Sequence, residues 1–268
     1  MISLVLYELK LKRRIMLGWL VVIALYIGLV AWAERALEEG EMQRLYEELV
    51  KQYPEEFIKL FAKGIPLVFT SEVFYTIEYF VFMYVIVLAA YIAYVSAGSI
   101  VDDVLDKTGF IVLTTPQTRT RILLSKFLSN TILAVVITLL SLILTVTLVN
   151  VVAGRQFNVE RIALLHVTGL VYLTTYIALG SLLGSILPLT IAKPVSATIA
   201  LVAYLLDTMT LGTSLEILGY LSPSRYFPVL DMVVEGEVRV AYIILLVATT
   251  IAALALALVA YNRRDLYL

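Results

Sequence analysis

The run 127-FLSNTILAVVITLLSLILTVTLVN-150 holds 24 residues without a charge or a proline. At about 1.5 Å per residue a helix of that length rises roughly 36 Å, more than the roughly 30 Å of hydrocarbon in a bilayer. A membrane β-strand needs only about 9–11 residues with alternating polarity, and this run is too long and does not alternate. Working outward, five further runs have the same character: Met16–Ala33, Phe74–Ala97, Ile162–Leu187, Val195–Gly212 and Val240–Tyr261. The chain is 61% hydrophobic and 15% charged, against about 45–50% and about 25% in soluble domains. The seven prolines fall at or beyond the edges of the runs, as expected of uninterrupted helices, since proline removes a ladder hydrogen bond. The predicted fold is an all-α integral membrane protein with six transmembrane helices. A cleaved leader ending at Ala31-Trp32-Ala33 is the competing reading of the first run, but that run exceeds the about 7–15 apolar residues of a leader.

Charge distribution sets the orientation, because cytoplasmic loops carry the lysine and arginine excess. With the N-terminus inside, inner segments hold eleven basic against five acidic residues. Outer segments then hold nine against fourteen, with Glu78 and Asp207 assigned to spans. Both termini are therefore expected in the cytoplasm. A net charge of −1 gives no reason to expect nucleic acid, and the absence of cysteine removes disulfides, thiolate nucleophiles and cysteine metal sites. One histidine leaves little for a zinc centre, and scarce histidine and methionine weigh against copper as cargo.

Four of the segments outside the runs stand out. Residues 1–14 place Ile2, Val5 and Leu9 on one helical face ahead of Lys10, Lys12, Arg13 and Arg14, which suits a helix lying in the inner interface. The outer loop 34–73 carries two amphipathic stretches on either side of Pro54, using Leu45 and Leu49, then Phe57, Leu60 and Phe61. Residues 213–239 are semi-polar, with two prolines and several aromatics, and read as short re-entrant or interfacial helices at the outer face.

The fourth segment, 98–126, is chemically the richest. Its Asp106-Lys107-Thr108-Gly109 matches the phosphorylated aspartate loop of ion pumps over four residues. Phe110 stands where threonine or serine belongs, and no inner segment approaches the about 50–200 residues of a nucleotide-handling domain. The match is coincidental. In the same loop Asp102, Asp103 and Asp106 can share one side of a helix leaving the membrane. Thr115-Pro116 breaks that helix, Thr118 is placed to cap the next, and Arg119, Arg121 and Lys126 lead into the third span. Either the bases anchor two helix ends on anionic lipid, or the loop is a docking surface for a cytoplasmic partner.

Gly109, then 113-LTTPQTR-119, then Lys126 opening an apolar helix, resembles the cytoplasmic loop of type-2 ABC exporter permeases. The ending 261-YNRRDLYL-268 is similar to theirs, and length, span count and the long first outer loop agree. Where that family commonly has glutamates before Gly-Thr, this chain has aspartates and Gly109-Phe110. The resemblance implies a non-catalytic permease subunit, paired with itself or a similar chain in the plasma membrane and surrounded by lipid. It implies a separate ATP-binding cassette ATPase as partner, which binds the ATP and magnesium, so that no cofactor belongs to this chain. Residues 1–14 become a connecting helix and roughly 99–124 the coupling region, with Asp102, Asp103, Asp106, Gly109, Pro116, Arg119 and Lys126 as its residues. An ion-coupled secondary transporter and a membrane-embedded lipid-modifying enzyme are the alternatives.

Within the spans, Asp207 lies twelve residues from Val195, about 18 Å into the bilayer at about 1.5 Å per residue. A carboxylate there costs at least roughly 2.5–3.5 kcal/mol unless it meets water or a partner. With Tyr204 and Thr208 beside it, it reads as a polar point on the translocation path or as a structural hydrogen bond between helices. His166 is expected at an interface, and Glu78 near the outer end of its span. Gly180-x-x-x-Gly184, with Ala89, Ala93 and Ala97, predicts close helix contacts.

Overall fold

In the computed structural model the described residues are 1–36, 39–52, 54, 70–105, 117–154 and 157–264. Among them every regular element is helical and no strand occurs. α1 is Ile2–Ala36 and α2 is Glu39–Gln52. α3 runs Ser71–Leu105, α4 Arg119–Ala153, and α5 Val159–Ile186. α6 is Ala192–Thr210. Two short helices, α7 (Glu216–Gly219) and α8 (Val229–Glu235), flank a 3₁₀ turn at Pro223–Tyr226, and α9 is Val240–Arg263.

Five helices, α1, α3, α4, α5 and α9, are long and apolar enough to cross a membrane. α6, the expected fifth span in chain order, is a 19-residue helix that carries Lys193 and Asp207 and is not among the five. The ends obey local chemistry. Thr118 caps α4 as expected, its hydroxyl accepting from the Arg121 amide at 3.3 Å, and Asn158 caps α5 through the Arg161 amide at 3.1 Å. α4 stops at Gly154, whose φ of 68° is the left-handed conformation that glycine takes without strain. Pro194 sits in the first turn of α6, where a missing amide costs nothing.

One expectation changes. Residues 1–14 form no separate interfacial helix: α1 is continuous from Ile2, with neither glycine nor proline between Arg14 and the apolar run. Of the predicted face Ile2, Val5 and Leu9, only Val5 is buried. Glu8 and Lys12, one turn apart, are the side chains that turn into the bundle. Between α1 and α3, the first amphipathic stretch is helical in α2, whereas Phe57, Leu60 and Phe61 lie outside the described residues.

α5 is the central post, packing on α3, α4, α6 and α9. A Cβ on Gly180 would stand 2.5 Å from the Ala93 carbonyl oxygen, and one on Gly184 would stand 2.9 Å from that of Ala97. The small-residue pattern therefore serves an intramolecular contact in which the backbones of α3 and α5 nearly touch. Residues Thr76–Leu88 of α3 are π-helical, with bonds from i to i+5, a rare arrangement that widens the helix. It groups side chains four and five apart, so Tyr75, Tyr79, Phe80 and Tyr84 share one buried face with successive ring centroids 5.1–6.4 Å apart. The Tyr75 hydroxyl bonds Thr145, and that of Tyr84 bonds Thr138 at 2.8 Å, both on α4.

Candidate functional site

The polar groups of the chain gather at the two ends of the bundle. At the N-terminal end, the apolar runs begin or stop within a few residues of Lys12, Asp102, Lys126 and Lys193, so these side chains share one level. Lys126, on the first turns of α4, is 2% exposed. Its ammonium lies 2.7 Å from Glu8 Oε1 on α1 and 2.7 Å from Asp103 Oδ2 on α3. Three helices thus meet on one cation. Lys12 adds to the same centre: it approaches the other oxygen of Glu8 at 3.4 Å and donates to Ser129 Oγ at 2.9 Å and Asn130 Oδ1 at 2.7 Å. Asn130 in turn donates to Ser99 Oγ at 3.2 Å. Within this centre each buried charge has a partner of opposite sign, as burial demands, because an ion stripped of water without one costs several kcal/mol.

The other predicted residues of this region separate. Asp102 pairs with Lys193 of α6 at 3.0 Å while Asp103 pairs with Lys126, so the two acids do not present one free surface. The Lys193 ammonium also sits 4.9 Å above the Tyr94 ring. Arg119 donates to the carbonyls of Asn262 at 3.2 Å and Arg264 at 2.6 Å, holding the end of α9. Arg264 itself reaches back to the carbonyls of Gly184 and Leu187 at the end of α5. Asp106, Gly109 and Pro116 lie outside the described residues, as do the last four residues of the ending 261–268. Beside the Lys126 centre, a cavity of about 370 Å³ opens between α1 and α3.

The opposite end is built differently. Asp207, in the last turn of α6 and 1% exposed, receives Arg225 Nη1 at 3.5 Å from the 213–239 segment. Arg225 also pairs with Glu216 and lies 4.9 Å over the Tyr220 ring. Burial opposes its charge, but Tyr220, Glu216 and Asp207 together outweigh that and hold its pKa above the ordinary arginine value. Thr208 donates to the backbone oxygen of Tyr204, and Tyr204 is buried and lines a smaller cavity of about 170 Å³ with Arg225, Phe227 and Tyr242. The predicted trio is therefore together, with Asp207 engaged by Arg225. Phe227 plugs this end, stacked 5.2 Å from Tyr172 and close to the ideal Cβ position of Gly169.

His166 is buried, 4.8 Å from the Phe80 ring, with Nδ1 2.7 Å from the Ile162 carbonyl. α5 begins at Val159, three residues before the predicted run, and α8 packs against it. Glu78 is half-buried and accepts from the Tyr26 hydroxyl at 3.2 Å.

Sequence reasoning missed Glu8, Lys12, Ser99, Ser129, Asn130 and Lys193. A signal existed: Glu8 and Lys12 stand four apart, and Ser129-Asn130 is a polar pair one turn inside an apolar run behind Lys126. Among the described residues no group of three or more histidines or acids is placed to hold a metal ion. Over residues 4–266 the chain matches the family described as ABC-2 family transporter protein. No curated protein matches it.

Proposed function

Because the chain belongs to the ABC-2 family of transporter proteins, and is thereby a multi-pass permease component of an ABC transporter, we propose that it is the membrane half of an ATP-driven exporter worked through its N-terminal end. In this reading α6 is the sixth span, both termini are cytoplasmic, and the protein acts as a homodimer or a heterodimer with a similar chain in the plasma membrane. The chain catalyses nothing itself. A separate ATP-binding cassette ATPase, carrying the ATP and magnesium, docks on the loop that includes Asp106, Gly109 and Pro116, and on residues near the start of α1.

The observation that supports this most is the Lys126 centre. It ties α1, α3 and α4 together at the point where the chain leaves α3 and returns in α4, so a push on the intervening loop reaches three spans at once. Coupling needs an element with alternative packings that an outside event can bias, and a shared ion-pair centre between helices is such an element. Arg119, clamping the end of α9, extends the same push to a fourth helix. Asp207, Tyr204 and Thr208 stand on the proposed path at the other end, where the Asp207–Arg225 pair would have to open or stay as a fixed polar lining.

The test is affinity purification of the full chain from its native membrane, with identification of bound proteins, followed by transport with and without ATP. A cassette ATPase is expected in the complex, and Asp106→Lys is expected to insert normally while losing ATP-dependent transport. Transport driven by an ion gradient alone, or a preparation without any cassette protein, overturns the reading.

A further inference from the structure

We propose that the cavity between α1 and α3 at the N-terminal end seats the headgroup of a single zwitterionic phospholipid of the phosphoethanolamine class. The cavity measures about 370 Å³, at the lower end of the about 300–1,000 Å³ of small-ligand sites. Its walls are amphipathic in the way a lipid neck requires. Leu11 and Ile15 of α1 remain exposed at its edge, and Tyr91 and Tyr94 of α3 face them. It lies level with the ends of the apolar runs, which is headgroup depth, where tyrosine is favoured. The site requires only that the chain crosses a membrane and is independent of any ATPase.

Charge selects the headgroup. Six ionisable side chains line the cavity, three lysines and three carboxylates, so it carries no net charge. Four of them form the floor, where Lys126 engages both Glu8 and Asp103. The two within reach are Lys193 and Asp102, whose side chains are 25% and 41% exposed and sit side by side at 3.0 Å. An anionic head would meet Asp102 along with Lys193, and a cationic head the reverse. A head carrying both signs exchanges one intramolecular pair for two: its phosphate accepts from Lys193, and its ammonium donates to Asp102. A choline head has no N–H to donate, which singles out the primary amine. Gly98 keeps the rim open, because a Cβ there would stand 2.9 Å from Asp102 Oδ2 and 3.4 Å from Lys193 Cε.

The full chain in mild detergent, mixed with equal amounts of phosphatidylethanolamine, phosphatidylcholine and phosphatidylglycerol of one acyl composition, is read by native mass spectrometry. One phosphatidylethanolamine should be retained about fivefold over the other two, the ratio that corresponds to roughly 1 kcal/mol from an exposed pair. Asp102→Asn with Lys193→Met should erase that preference, and the exchange Asp102→Lys with Lys193→Asp should keep it. Leu11→Trp, at an exposed position that leaves the charges alone, should cut phosphatidylethanolamine retention by filling the cavity. Equal retention of the three lipids by the unaltered chain, or an unchanged preference in the neutralised or filled variant, overturns the proposal. Displacement by an equal concentration of tail-less glycerophosphoethanolamine would show a site for a soluble phosphate ester and overturn the lipid assignment.

Discussion

At the N-terminal end of the bundle, Lys126 is shared by Glu8 and Asp103, and Lys12 by Glu8, Ser129 and Asn130. At the opposite end the α3–α4 seam is made of tyrosine hydroxyls on threonines and of packed rings, and Asp207 meets Arg225 at the longer distance of 3.5 Å. Both ends bury polar atoms, but they respond differently to loss. Removing one member of an ionic centre leaves a bare charge, whereas removing a hydroxyl leaves a small apolar gap and one unmade bond. The N-terminal end is therefore the brittle one and the aromatic end the forgiving one. That contrast suits a molecule in which one end receives a push and the other accommodates it.

Four substitutions test the contrast, in descending order of effect. Lys126→Met removes the cation shared by Glu8 and Asp103, leaving Glu8 its longer contact with Lys12, and should cost about 3–5 kcal/mol, read as a collapse of the thermal unfolding midpoint in detergent. A midpoint near that of the unaltered chain would mean that the centre is not brittle. Arg225→Met at the other end removes a partner that Asp207 holds only at 3.5 Å; about 1–3 kcal/mol is expected from chemical unfolding. If it matches Lys126→Met, the two ends do not differ as described. Tyr84→Phe deletes the bond to Thr138 and should lose only about 0.6 kcal/mol, the average for such bonds between membrane helices. Lys193→Met removes a partly exposed pair, and its stability effect should fall within about 0–1 kcal/mol, shrinking further at high salt. A larger loss there would place Lys193 inside the brittle centre.

Much of this was legible before any coordinates. Long uncharged runs announce spanning helices, Thr118 announces a cap, and Gly180 and Gly184 announce a close crossing. What stayed hidden has a physical cause in each case. The first turns of α1 looked like an interfacial helix because basic residues dominate them, and an (i, i+4) Glu8–Lys12 pair reads equally well as solvated or as buried. Which one holds is decided by Lys126, more than a hundred residues away. Apart from Thr76 and Glu78 the π-helical stretch of α3 is apolar and aromatic on all sides, so no periodicity distinguishes it from an α-helix. Asp102 and Asp103 looked equivalent, yet neighbours on a helix point about 100° apart, and each found its own lysine. For Asp207 the sequence offered depth and cost but not the partner, since Arg225 arrives on a segment whose short helices follow from packing rather than propensity.

Where the bare backbones at Gly180 and Gly184 rest on Ala93 and Ala97, with the Cβ atoms of Ser96 and Ile100 hard against them, no long side chain of α5 stands off α3 to act as a lubricating layer. Sliding or tilting of one against the other would drive carbonyl into α-carbon within a few tenths of an ångström. The pair thus behaves as one welded beam. Any hinge that operates during a transport cycle must lie outside that contact.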